Sequence, residues 1–420
     1  MTGRSHARAR AVRGTSLVGR RYQVEVGPVA HGGHFVARHE GVVIFVRHAL
    51  SGETIVIEIT EGDDQSKFLR GDAVEVLTPS PDRVEAPCRF SGPGMCGGCD
   101  FQHVSLPAQR ELKAFVIREQ LQRLAKLDVD VSVEPVPGDD EGLGWRTRVQ
   151  YAVDEDGHAG LRAHRSHDVV RLDVCVIGHP DLPEVPREDW QGADSVEAIV
   201  SGAGERLRLV SADSELFLDG PKLLHERALG RDWQVAGSGF WQVHPGAASA
   251  LTDAVLEGTD PQPGERTADL YSGVGLFSAA LAQRVGAGGA VVAVESDPEA
   301  VGDAAANLAD LPQVELVADR VDRALRHGVL GDAMDVIVLD PPRTGAKRDV
   351  VEAIAAVRPR VVAYVACEPA ALARDVAIFA EHGYQLTGLR AFDLFPMTSH
   401  VECVALLEKT ASEVRRSELR

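Results

Sequence analysis

The stretch "DLYSGVGLFS" at residues 269–278 joins an acid at the end of an apolar run to a Gly-x-Gly turn and the opening of a helix. Glycines at such a corner let a backbone come close to a ligand, and the free N–H groups of a helix N-terminus face it. Glu295, 22 residues after Gly273, ends the run "VVAVES". An acid about 20 residues beyond a glycine turn suits the hydroxyls of a ribose. Outward from this corner the same pattern repeats. "RTADLYSG", "AVVAVES", "MDVIVLDPPR" and "RPRVVAYVAC" read as strands, and "GLFSAALAQRV", "DPEAVGDAAANLADL" and "PAALARDVAIFAEHG" as helices, with two closing strands in "YQLTGLRAFDLFP" and "HVECVALLEK". Strands alternating with helices predict a mostly parallel sheet covered on both faces. Residues 236–420 are therefore expected to form a Rossmann-like α/β domain.

The glycine turn reads G-V-G-L-F and lacks the third glycine with which dinucleotide folds bring helix and pyrophosphate together. S-adenosylmethionine has no phosphate and needs fewer glycines, so it is favoured over a nicotinamide dinucleotide. "VLDPPRTG" (338–345) follows another strand and sets Asp340 at the sheet's carboxyl edge, where such folds bind ligands. Arg343 stands where amino-group methyltransferases carry an aromatic residue, which speaks against amino methylation.

"YVACEPAALARD" (364–375) puts Cys367 between a buried strand and a helix start. A free cysteine is often simply buried, but a helix N-terminus also lowers a thiol pKa. This placement, with Arg374 one to two turns along, is expected to favour the thiolate. A thiolate adding to C6 of a pyrimidine would make C5 nucleophilic, after which a base must remove the C5 proton. Glu402, inside the apolar run "HVECVALL", is the favoured base, because a carboxylate there is costly to bury without a partner or a role. His400 is the alternative.

The chain has 420 residues, a net charge of −19 and 44% hydrophobic residues, which allows two or three domains with sizeable cores. No apolar run approaches the length of a membrane span, and the first 21 residues lack the apolar segment of a signal peptide. A cytoplasmic protein without membrane contact is expected, and nothing demands an obligate protein partner. Those 21 residues hold Arg4, Arg8, Arg10, Arg13, Arg20 and Arg21 and no acid. They suit either a phosphate-gripping arm or a solubilising tail. After this basic arm (1–15), short β-rich runs between Gly- and Asp-rich turns predict a small barrel over 16–78. A central domain over 79–235 opens with Cys88, Cys96 and Cys99. It continues through a helix over 107–127, in which Phe115, Ile117, Leu121 and Leu124 recur at helical spacing. Arg146, Arg148, Arg162, His164, Arg165 and Arg171 form a local basic set, either an RNA-binding face or a solvated surface. Six cysteines are too few for a disulfide scaffold. Cys88, Cys96, Cys99 and the distant Cys175 offer four thiolates to zinc or an iron–sulfur cluster.

Taken in order, "GFWQVHPG", "DLYSGVGLFS", "VLDPPRTG", the Cys-x-Pro of "YVACEPAALARD" and "DLFPMTSHVE" resemble the motifs of the RNA uracil-C5 methyltransferase family, and the predicted barrel is similar to its TRAM domain. The resemblance covers nearly the whole chain and implies a multidomain α/β protein that makes 5-methyluridine in structured RNA from S-adenosylmethionine. It implies Cys367 as nucleophile and Glu402 as the base for the C5 proton. It implies cofactor contacts at Gln242, Tyr271, Gly273, Glu295 and Asp340, with Asp319 as a further candidate. "CGGC" followed by Phe and Gln resembles the [4Fe–4S] site of several members, so a cluster on Cys88, Cys96, Cys99 and Cys175 is favoured over zinc. Barrel and cluster together lean towards 23S ribosomal RNA rather than transfer RNA as the partner. Alternatives are a transfer RNA uracil-C5 enzyme, a cytosine-C5 methyltransferase, whose nucleophile commonly follows proline, and a catalytically silent RNA-binding protein. The chain departs from the pattern at Ser272, Leu276 and Glu368, the last where asparagine is usual. A carboxylate beside the nucleophile disfavours a thiolate, so Glu368 is expected to point away or pair with an arginine.

Overall fold

A computed structural model describes residues 14–409, so most of the basic arm lies outside the described residues. Five strands, β1 (Arg21–Ala30), β2 (His34–His39), β3 (Val42–Arg47), β4 (Thr54–Glu61) and β5 (Phe68–Thr78), close into the expected barrel. Alternate residues such as Val24, Val26, Phe35, Ile44, Ile55 and Ile57 point into its core, as the two-residue period of a strand requires.

A helix, α1 (Leu106–Gln120), runs on through a π turn to Ala125 and is followed by a short strand, β6 (Val133–Pro135). Strands β7 (Arg148–Val153), β8 (Ala159–Arg162), β9 (Val169–Arg171), β10 (Ser195–Val200), β11 (Arg206–Ala212) and β12 (Glu215–Asp219) form an antiparallel sheet, and a hairpin follows in β13 (Leu223–Ala228) and β14 (Arg231–Ala236).

The remaining chain alternates as the sequence predicts: α2 (Ala247–Thr259), β15 (Arg266–Leu270), α3 (Leu276–Val285), β16 (Ala290–Glu295), α4 (Pro298–Asn307), β17 (Val314–Ala318), α5 (Val321–Arg326), β18 (Val336–Leu339), α6 (Lys347–Ala356), β19 (Val361–Ala366), α7 (Pro369–Glu381), β20 (Tyr384–Asp393) and β21 (Glu402–Lys409). The eight-stranded sheet has the order β17-β16-β15-β18-β19-β21-β20-β6. Strands β15 to β19 are mutually parallel, and β21 runs antiparallel between β19 and β20. Its central strands are apolar on both faces because helices cover both. Leu270, Val292, Val294 and Tyr364 face α1, α6 and α7, whereas Val291, Val338, Ala363 and Val365 face α2 and α3.

The segment expected to be a separate central domain is divided in space. Its antiparallel sheet has its own core around Tyr151, Val185 and Val196. Its helix α1 and strand β6, however, complete the α/β domain: Ala114, Ile117 and Leu121 join the core of the large sheet, and β6 adds to its edge beside β20. Only half of the predicted apolar face, Ile117 and Leu121, is buried. Phe115 and Leu124 are exposed, while Gln109 and Lys113 are buried. Lys113 Nζ donates to Asp393 Oδ1 at 2.5 Å and to the Phe395 carbonyl at 3.0 Å, and burial pushes its pKa down. A buried ammonium persists only with such partners.

Candidate active site

The residues expected to bind cofactor and substrate end five consecutive parallel strands. Tyr271 follows β15, Glu295 closes β16, Asp319 follows β17, Asp340 follows β18 and Cys367 follows β19. Successive crossovers from β15 lead first to β16 and β17 on one side and then to β18 and β19 on the other. This is the switch point at which open α/β sheets bind ligands, outside the carboxyl ends of their strands.

Tyr271 adopts φ +66°, unusual for an aromatic residue, and its N–H bonds the Val294 carbonyl at 3.0 Å. That bend starts the glycine turn. Gly275 has φ +95°, and a Cβ there would come within 2.8 Å of Leu308, so the second glycine is required by both conformation and packing. The Glu295 carboxylate accepts from Gly273 N at 2.9 Å and Asp297 N at 2.8 Å, which aims it at the turn. Trp241 packs against Trp233 at 5.9 Å and belongs to one apolar cluster with Val274 and Leu276, which places the half-buried Gln242 beside the same turn. The Asp319 side chain is engaged by Arg323 at 2.7 Å and by Arg320 N, while its own N–H bonds the Glu295 carbonyl at 2.9 Å. Inside the sheet, buried Asp269 accepts from Ser278 Oγ at 2.6 Å, and burial raises its pKa to about 7. Asp340, desolvated and close to Asp269, is also raised to about 7.

Cys367 and Glu402 meet across two antiparallel strands. Ala366 of β19 pairs with Cys403 of β21, so one further step of the register sets Cys367 against Glu402. Glu402 is buried, and desolvation together with Asp340 raises its carboxyl well above the ordinary range, with Arg343 opposing. His400 is exposed and lies in the loop before β21, not on the strand. The thiol departs from expectation. Burial, then Glu402 and Asp340, push Cys367 up to about 11, and Arg343 is the nearby cation that lowers it. Arg374 does not help: it donates to Asp375 at 2.8 Å and to the Thr344 carbonyl at 2.9 Å. The partner of Glu368 is not an arginine. Its carboxylate caps α7 through Ala370 N and takes a 2.5 Å bond from His31 Nε2, at the β1–β2 tip of the barrel. His31 carried no sequence signal, because 337 residues separate the pair.

The expected metal ligands also converge. Cys99 and Cys175 share an apolar cluster with Trp145, Ile177 and Met397, and charge on one thiol is felt at the next from Cys88 to Cys96 to Cys99 to Cys175. Gly98 N donates to Cys96 Sγ at 3.4 Å and Gln102 Nε2 to Cys99 Sγ at 3.3 Å, while the Ile177 and Gly178 amides face Cys175. Four soft sulfurs with N–H donors fit an iron–sulfur cluster.

The expected basic face is mostly committed to other contacts. Arg148 is buried and donates to the Gly239 carbonyl at 2.6 Å, bracing the loop that carries Gln242. Arg171 is bound by Asp154 and Asp156, each at 2.6 Å. Arg165 lies 3.6 Å from Glu61.

Three comparisons bear on this geometry. Residues 238–410 match the family model of tRNA (uracil-5-)-methyltransferases, and residues 15–74 match the TRAM domain. An uncharacterized RNA methyltransferase of Streptomyces coelicolor is 49% identical over 94% of each chain, and one of Bifidobacterium longum is 37% identical over 92% of this chain and 96% of that one. The solved tRNA (uracil-54, C5)-methyltransferase of Pyrococcus abyssi, in complex with S-adenosyl-L-homocysteine, superposes with a TM-score of 0.69 at 22% identity. It covers 92% of this chain and all of that one, which establishes the shared fold.

Proposed function

Because the chain belongs to the RNA uracil-C5 methyltransferase family, whose methyl donor is S-adenosylmethionine, we propose that it methylates C5 of a uridine in structured RNA through a covalent Cys367–C6 adduct. The register that sets Cys367 against Glu402 at the switch point carries this reading. The uracil must first leave its stack to reach the strand ends. The Cys367 sulfur adds to C6, and the C5=C6 electrons pass towards the ring carbonyl, so that C5 becomes the nucleophile. Bound S-adenosylmethionine supplies the electrophilic methyl group. The Glu402 carboxylate then takes the C5 proton, C5=C6 re-forms, and the C6–S bond breaks with its electrons returning to sulfur. Buried Glu402 can accept a proton because its raised pKa makes it a stronger base than a solvated carboxylate.

Gln242, Tyr271, Gly273, Glu295, Asp319 and Asp340 are assigned to the donor, with Glu295 on the ribose hydroxyls. Glu295→Ala is expected to weaken S-adenosylhomocysteine binding about 10- to 100-fold by calorimetry, the value of hydrogen bonds to a charged group. Unchanged affinity would remove Glu295 from the site. Cys88, Cys96, Cys99 and Cys175 are assigned a [4Fe–4S] cluster. Such a cluster would brace the central domain or position RNA, since uracil methylation consumes no electron. The protein is assigned to the cytoplasm, where thiols stay reduced.

For the RNA, 23S ribosomal RNA is the first choice on the family resemblance. The barrel alone does not separate the substrates, because the transfer RNA enzyme of Pyrococcus abyssi shares the fold over its whole length. The test is methyl transfer from labelled S-adenosylmethionine to unmodified 23S ribosomal and transfer RNA transcripts, with nucleoside analysis. Label in 5-methyluridine of the ribosomal transcript is expected. Label only in transfer RNA overturns the choice of substrate, and label in another nucleoside overturns the reaction.

A further inference from the structure

The barrel does not hang from the catalytic domain on a tether. Its β1–β2 tip, His31-Gly32-Gly33, is pressed against the loop that leads to Glu402. Gly33 has φ +75°, and a Cβ there would meet Ser399 Cβ at 2.7 Å and Asp100 Cβ at 3.1 Å. Asp100 in turn accepts from Ser399 N at 3.0 Å, and the amides of Asp100 and Phe101 bond the Met397 carbonyl at 3.0 and 2.9 Å. Tip and loop wall a small cavity that is also lined by Cys367, Glu368, Pro369 and His400. The seat holds His31 where its Nε2 reaches Glu368.

We propose that His31 is a positioning residue for the nucleophile. By holding the Glu368 carboxylate at the start of α7 and balancing its charge, it keeps that charge off the Cys367 sulfur, so that seating of the barrel is part of what makes the thiol reactive. This rests on Cys367 being the nucleophile. The groups around each partner are consistent with it. His31 faces Glu368, with Arg123 and Glu119 farther off, and is raised chiefly by the bond to Glu368. Glu368 faces His31 and His400 and lies below its ordinary value. The charges that weigh most on Cys367 are Glu402, Asp340 and Arg343, from β21 and the loop after β18. Its sequence neighbour Glu368 is not among them. This chain carries an acid at 368 and supplies the histidine that binds it from its other end.

The test is the rate of Cys367 alkylation by iodoacetamide in the full-length protein, read by mass spectrometry of the Cys367 peptide from pH 7 to pH 10. His31→Ala is expected to slow alkylation about threefold to tenfold at neutral pH, an upward thiol shift of about half to one pH unit. Glu368→Asn is expected to alkylate at least as fast as the parent, and His31→Ala combined with Glu368→Asn to match Glu368→Asn alone. A His31→Ala rate within twofold of the parent overturns the proposal. So does a loss that persists in the double variant, which would mark damage to the fold, since removing Glu368 cannot repair an unseated barrel. Alkylation needs no RNA or turnover, so its failure is separable from failure of the covalent mechanism, which the Cys367→Ala adduct experiment tests.

Discussion

Cys367→Ala is expected to abolish both methyl transfer and the protein–RNA adduct that forms on RNA containing 5-fluorouridine. With fluorine at C5 there is no proton for Glu402 to remove, so the methylated adduct cannot collapse, and a stable complex migrates slowly on a denaturing gel. The loss of turnover should be about 10⁴-fold or more, the order seen when a covalent nucleophile is deleted. Serine in its place should do little better, because its hydroxyl is a far weaker nucleophile at neutral pH. An adduct that survives Cys367→Ala would move the nucleophile elsewhere and with it the whole site. The pH profile carries a second expectation. The thiol sits at about 11 in the free protein and the Glu402 carboxyl is also raised, and both must lose a proton to act. The protonated thiol of Cys367 dominates at neutral pH, so kcat/KM should keep climbing with pH through about pH 9 and beyond instead of levelling near neutrality. Arg343, which lowers both groups, is the residue whose loss would push that limb further into alkali.

Glu402→Gln is expected to separate the two halves of the reaction. Glutamine keeps the shape and burial of the side chain but cannot accept the C5 proton. Methyl transfer into the adduct should still occur once, and release should fall about 10²- to 10⁴-fold, the usual contribution of general-base catalysis. The readout is a methylated covalent complex that accumulates on ordinary uridine RNA and contains the labelled methyl group. A Glu402→Gln protein that turns over normally, with no complex, would assign the proton to another base. His400 is then the alternative, although it is exposed and lies ahead of the strand. Glutamine is uncharged and of the same size, so it can be buried beside Asp340 without a charge to desolvate, and the variant should fold about as stably as the parent.

Much of the site was legible in the chain because its chemistry is local. A glycine turn after an apolar run, an acid 22 residues on, an Asp-Pro-Pro after the next strand and a Cys-x-Pro at a strand-to-helix corner each constrain only a few neighbouring residues. Alternation of strand and helix then places all of them at one sheet edge. The direction of the thiol's pKa was not legible. Reading Cys367 from the helix behind it predicts a lowered value. The fold surrounds it with apolar strands and two carboxylates from elsewhere in the sequence, and desolvation outweighs the helix end.

By itself, then, the sequence determined the barrel, the mostly parallel sheet and the placement of Glu295, Asp340 and Cys367 at strand ends, since periodicity and turn chemistry act over a few residues. Tertiary structure alone decided that Gln109 and Lys113 of α1 are buried while Phe115 is exposed, that β6 leaves its neighbours to join the large sheet, and that Glu368 is answered by a histidine of the barrel. These outcomes depend on where distant surfaces meet, and burial and charge pairing act through space, so no local pattern in the chain encodes them.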